Sequence, residues 1–319
     1  MLKKCKRKLA QQVVYINQIL TQQEGSILVL VAVGLVALLA CASLVTDIGL
    51  LYTSRSRLVN TADAAALAGA QELPINPELA VEVARDYALA NGVSENQLLI
   101  ELGADQRSIT VRPRQDVYFL FGRVLGFTEQ EVQAAATAFT GALTGAVGVV
   151  PFSIQEQELQ EGREYVLKNG AGIADSGDDG RMHGWYGALA LSGSGANEYR
   201  KCIENGYTGM LRVGDRIPIE SGNMSGPTEQ GVDHRIKQCK DGCTYKDFKP
   251  DCPRVMVVPM VSPVSSGKVE VTGFAAFFLE GVGGSGNDNY VSGRFVKMVV
   301  SGESGGGTDY GAYAVKLLH

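Results

Sequence analysis

The chain has 319 residues, with 29 Lys and Arg against 34 Asp and Glu, a formal charge of −5 and 45 % apolar residues. That length suits one anchor plus one or two modest domains and excludes a small isolated module. A charged fraction of 20 % is that of a folded chain rather than a disordered one, and 39 glycines point to many turns.

The charge is unevenly spread, because Lys3, Lys4, Lys6, Arg7 and Lys8 crowd together ahead of the first long apolar run. Beside such a run a basic cluster reads as a cytoplasmic retention signal rather than a nucleic-acid site, so no nucleic-acid partner is expected. Residues 26–46 follow, an uncharged run without a polar face. At 1.5 Å per residue these 21 or so residues span a hydrocarbon core of about 30 Å. The positive-inside rule then keeps residues 1–24 as a cytoplasmic tail and sends everything after Asp47 outside the cytoplasm, which makes this a single-pass protein of the cytoplasmic membrane. Cleavage is the competing reading: Ala40-Cys41-Ala42 has small residues at signal-peptidase spacing, and Leu38-Leu39-Ala40-Cys41 loosely matches a lipoprotein box. The apolar run is longer than a signal core and the helical pattern continues past both cuts, which favours an uncleaved anchor.

Past the span come Asp47, Gly49, Leu51 and Tyr52, then Arg55, Arg57, Leu58 and Asn60, then the alanine-rich block 61–70. Alanine favours helix and no proline intervenes before Pro74, so one continuous helix over about 25–71 is expected. The pattern V-x-D-x-G-x-L-Y followed by R-x-R-L-x-N-x-A-D-A-A-A-L-A-G-A resembles the N-terminal segment of the TadE/TadG-like proteins of the Flp (tight adherence) pilus-assembly family, over about 24–73. The resemblance implies a role in a pilus or secretion apparatus of the envelope, with pilus or envelope proteins as partners. Leu30 stands where a prepilin-type site after Gly25 carries an acidic residue, which argues against such processing. The Asp-x-Ser-x-Ser metal motif of adhesive TadG relatives is not found.

Two elements here are candidates for contact with partners. Asp47 is costly to bury, and either stays solvated at the headgroup level or meets a basic partner. Small residues on the 62–70 face, Ala62, Ala66 and Gly69 among them, let another helix approach closely, as in a pilin-like bundle or a homo-oligomer. The same residues serve equally for packing against the protein's own domain.

Beyond residue 73 a small α/β domain is expected over 74–141. Asn76 as N-cap, Pro77 at the first helical position and Gly92 as stop mark a helix. Residues 98–102 and 108–112 read as strands, 117–125 as an apolar helix and 132–139 as an alternating strand. Residues 141–148 read as a small-residue linker into a β-rich domain over 151–319, with strands at 254–260, 268–279, 294–300 and 312–318. The glycine-rich stretches 281–287 and 302–307 read as hairpin loops, since no helix pattern follows them to make a phosphate cradle. The expected fold is therefore α+β: one membrane helix extended into a juxtamembrane helix (25–73), a small α/β domain, then the β-rich extracytoplasmic domain.

Cys202, Cys239, Cys243 and Cys252 fall in that last domain, an even number on the oxidising side, so disulfides are expected, with three pairings open. Zinc is the alternative, held by Cys239, Cys243 and Cys252 with His234 near in sequence. Cys5 and Cys41 belong to the tail and the span. No HExxH or Walker motif occurs, and no GxSxG or SxxK string stands in a context worth defending, so neither an enzyme nor a cofactor is expected. His183 beside Trp185 and Tyr186 reads as an aromatic turn, and Asp175, Asp178 and Asp179 as a solvated acidic turn lacking the ligand spacing of a calcium loop. The competing class is a secreted or lipid-linked binding or hydrolytic protein, released by cleavage near Cys41.

Overall fold

The computed structural model describes residues 24–169, 187–220, 222–265 and 267–318. The basic cluster, Cys5, the acidic turn at 175–179, His183 with its aromatic neighbours and His319 lie outside the described residues. Among those described, the helices are α1 (Glu24–Ala70), α2 (Pro77–Ala90), α3 (Ala196–Asn205) and α4 (Ser225–Gln238). The strands are β1 (Leu98–Leu102), β2 (Ser108–Tyr118), β3 (Glu129–Gln133), β4 (Ala136–Ala146), β5 (Ile154–Gln155), β6 (Glu164–Lys168) and β7 (Leu211–Arg212). After them come β8 (Arg216–Pro218), β9 (Val255–Ser265), β10 (Lys268–Gly283), β11 (Tyr290–Val296), β12 (Met298–Val299), β13 (Gly302–Gly305) and β14 (Ala312–Leu318). The fold is α+β, a long apolar helix followed by a strand-rich region. The chain divides into two compact units, Met1–Leu58 with Arg114–Ala134, and Val59–Pro113 with Ala135–His319.

In the first unit, α1 is the one helix among the described residues long and apolar enough to cross a membrane, with a mean hydropathy of 2.9 in its most apolar window and none of that window buried. Two hydroxyls in its apolar part bond back into the helix: Ser43 Oγ donates to the Leu39 carbonyl (2.6 Å) and Thr46 Oγ1 to that of Ala42 (2.9 Å). The unit's second part is a hairpin. Arg114 to Tyr118 of β2 pair antiparallel with Gln133 to Glu129 of β3. Where the apolar run 117–125 predicts a helix, only Gly122–Leu125 turns, as one 3-10 turn ended by Gly126 at φ 91°. The flanking polar alternation, Arg-Gln-Asp on one side and Glu-Gln-Glu on the other, suits a solvated two-stranded ribbon, and the apolar residues are its tip.

In the second unit the strands form two sheets. The larger runs β1-β2-β4-β14-β12, with β13 and β7 also paired to β4. The smaller runs β5-β9-β10-β11-β6, with β8 on β10. The long apolar run of β10 follows from burial on both faces. Phe274, Ala276 and Phe278 face Leu143, Ala146, Val296, Ala312 and Ala314 in one core, whereas Ala275, Phe277 and Leu279 face Phe152, Tyr199, Ile203 and Val232 in a second. The smaller sheet is thus a middle layer, packed on one face against the larger sheet and on the other against α3 and α4. Those helices meet closely at Gly231, where a Cβ would stand 2.8 Å from Ile203 Cβ.

Two sequence expectations change. The stretch 141–148 is no linker: β4 runs through Gly141 to Ala146, with β13 and β14 as its partners, so strands expected in separate domains share one sheet. Likewise Gly302–Gly305 is not loop but strand, because Gly141 and Gly145 leave the space into which it packs.

Candidate functional site at the end of the apolar helix

Within the first unit, Asp47 occupies the α1 position where the apolar run stops, and it is only 7 % exposed. Its carboxylate accepts three successive backbone amides from the hairpin tip. Leu120 N donates to Oδ1 at 2.9 Å, Phe121 N lies 3.2 Å from Oδ2 and 3.4 Å from Oδ1, and Gly122 N donates to Oδ2 at 2.7 Å. These amides open the 3-10 turn, so they converge with their positive ends on one point, an anion nest filled by a side chain of the same chain. Charge-assisted bonds of this kind are about twice as strong as neutral ones. Among the described residues Asp47 therefore meets no basic side chain; its partner is backbone.

Around the clasp lies an apolar groove of about 480 Å³. Ala40, Ser43, Leu44, Asp47, Ile48 and Leu51, one face of α1 at spacings of three and four, form one wall. Phe119, Phe121, Val124 and Phe127 form the other. The tip is apolar outward as well: Leu120 is 63 % exposed, Val124 87 % and Phe127 64 %. A cluster of that kind on a short hairpin marks a surface that meets something other than water.

In the second unit, Ala62 and Ala66 are fully buried, and a Cβ on Gly69 would come 2.7 Å from the Ala80 carbonyl oxygen and 2.9 Å from Ala84 Cβ. At Gly69 the small-residue face of α1 thus meets the chain's own α2, whose Ala80, Ala84 and Ala88 are likewise buried. Thr140 Oγ1 donates to the Ala70 carbonyl (2.6 Å) and ties that helix end to β4.

The cysteines do not pair as expected. Cys202 is buried in α3 with its sulfur 3.9 Å from the Val149 carbonyl, and burial raises its thiol pKa to about 11. Cys239, Cys243 and Cys252 gather their sulfurs within 4.8 Å of one another, with those of Cys239 and Cys252 3.6 Å apart. A disulfide needs about 2.05 Å, so all four are free thiols, joined by the exposed Cys41 on α1.

Neither the tip residues Leu120, Phe121 and Gly122 nor their role was legible as a site. The available signal was chemical: a carboxylate ending an apolar run needs donors, and Gly122 and Gly126 bracket an apolar knot between two polar alternating stretches.

Residues 25–72 match the family described as putative Flp pilus-assembly TadE/G-like. The matched TadE/G-like segment covers α1 and includes Asp47, while the amides that hold Asp47 come from residues outside it. No curated protein and no solved structure matches the chain.

Proposed function

We propose that this is a non-enzymatic, single-pass protein of the cytoplasmic membrane that serves a Tad/Flp pilus-assembly or secretion apparatus through protein contacts. In this reading the basic tail stays inside and the strand-rich unit works outside. The observation that carries it is the coincidence of the TadE/G-like match at 25–72 with a helix of membrane length. The clasp supports it. In this reading Asp47 stands where the hydrocarbon ends, and the clasp would hold the exposed apolar side chains Leu120, Val124 and Phe127 beside the outer leaflet, into which they can insert. Fixing the helix at two points against the leaflet would set the depth at which the outer unit starts.

Protease digestion of spheroplasts, read by intact mass with N-terminal analysis of the membrane fraction, tests the topology. A full-length, membrane-retained chain whose outer unit is digested in spheroplasts supports the reading. A chain beginning near Cys41 or Ser43, or one protected from outside, overturns it. Loss of surface pili on deletion, restored by the full-length chain, tests the assembly role.

A further inference from the structure

The loop 239–254 joins α4 to β9 without helix or named strand, and Lys240, Asp241, Lys246, Asp247, Lys249 and Asp251 leave it few apolar residues with which to fold. It is nevertheless held in one conformation against the core. Arg254 lies over the Phe278 ring, 4.4 Å from its centroid, and donates to the carbonyls of Leu279 (2.9 Å) and Cys243 (3.2 Å). Arg235 donates to the Pro253 carbonyl at 2.7 Å. What these contacts assemble is a convergence of three sulfurs.

A tetrahedral zinc ion holds thiolates at about 2.3 Å, which sets sulfur–sulfur separations of about 3.8 Å. The 3.6 Å between Cys239 and Cys252, with Cys243 inside the same 4.8 Å group, fits that edge. A disulfide would use two of the sulfurs and leave the third without a role. The surrounding backbone points the same way. The amides of Cys243 and Asp241 face the Cys239 sulfur and that of Arg254 faces Cys252, donors of the kind a metal-bound thiolate uses for orientation. Cys243 and Cys252 are buried, while Cys239 is half-buried at the mouth. His234 is not a fourth ligand: its Nε2 lies 2.8 Å from Gln238 Nε2 on an exposed helix face, outside the sulfur group.

We propose that Cys239, Cys243 and Cys252 bind one soft d10 metal ion, Zn²⁺ or Cu(I), through three thiolates, with a further position open to solvent beside Cys239. The ion pins the 239–254 loop to the core. Each thiol that ligates gives up its proton, so binding weakens as pH falls. The proposal stands independently of any role in pilus assembly.

Full-length protein in detergent micelles, reduced, freed of reductant and kept anaerobic, is titrated with Zn²⁺ and separately with Cu(I) against a chromophoric chelator. The expected result is one equivalent of one ion and protection of Cys239, Cys243 and Cys252 from alkylation. Binding is lost in Cys243→Ser and kept in Cys202→Ser. Co²⁺ should give the near-ultraviolet charge-transfer band of thiolate ligation. The alkylation footprint of the unaltered chain decides the matter if Cys243→Ser fails to fold. No uptake by the reduced protein, uptake insensitive to Cys243→Ser, or a Cys239–Cys252 disulfide in chains alkylated at lysis would each overturn the proposal.

Discussion

The two units are stabilised in opposite ways. The strand-rich unit hides its apolar residues on both faces of β10, so Phe277 and Phe278, neighbours in sequence, enter different cores and are each at most 2 % exposed. The helix-and-hairpin unit leaves Ile27, Leu28, Leu38, Leu120 and Val124 bare, and its described polar link between helix and tip is the three-amide clasp on Asp47. A water-soluble fold is self-sufficient in apolar burial; the first unit is not, and its stability should depend on the solvent offered to it. Replacing apolar surroundings by water should therefore damage one unit and spare the other.

Phe277→Ala should sharpen that contrast most. It empties a site bounded by the Tyr165 and Phe295 rings, with centroids 5.9 and 6.1 Å away, and should cost the strand-rich unit about 3–5 kcal/mol. Denaturant unfolding in detergent measures it, and hairpin protection should not change. Asp47→Ala acts on the other side. It strands three amides in apolar surroundings, at about 1–3 kcal/mol for an unsatisfied group. Limited proteolysis at 119–127 should accelerate in bilayers while unfolding of the strand-rich unit stays put; equal cleavage rates would break the idea of a clasp.

Lys168 gives a pH test. Its side chain is buried, with Asn289 Oδ1 as a partner at 3.3 Å, and burial lowers its pKa to about 8. Because the folded pKa lies below the unfolded value of about 10.4, the unfolded chain binds more protons between the two. The penalty of charging the buried amine is full below about pH 8, and stability should rise, by about 1–2 kcal/mol, as pH climbs from there towards 10. Lys168→Met should flatten that rise, as seen in unfolding midpoints at the two ends of the window. Smallest, Thr140→Val removes the hydroxyl bond to the Ala70 carbonyl and should cost about 1 kcal/mol by the same unfolding assay.

Local signals were readable in the sequence and distant pairings were not. The helix start at Pro77 and the strand 98–102 follow from capping residues and alternation within a few positions, and both stand as expected. The membrane-length helix was legible because its signal is composition alone. The partners of Asp47 lie 73 to 75 residues downstream, in a segment whose apolar run resembles a helix, and nothing local distinguishes a hairpin tip from a turn of helix there. The same limit hid the partnership of β4 with β13 and β14. Glycines at 141 and 145 look like a linker until the strands that pack into their missing side chains are known. An even number of cysteines, read as lying on the oxidising side, suggested disulfides among all four. Cys202, on α3, lies outside the cluster that the other three form, a distinction only packing makes.

The position of β14 has a temporal consequence. It pairs along β4 from Leu318 opposite Thr137 to Tyr313 opposite Ala142, and it lies between β4 and β12 in the larger sheet. A chain emerging amino-end first would present β4 long before β14 exists to cover its edge, and non-local pairing of this kind is slow. Until then the half-built sheet would offer an open row of amides and carbonyls, a template for any strand that arrives first. The interval between the exit of Ala146 and that of Ala312 is when such a chain most needs a chaperone.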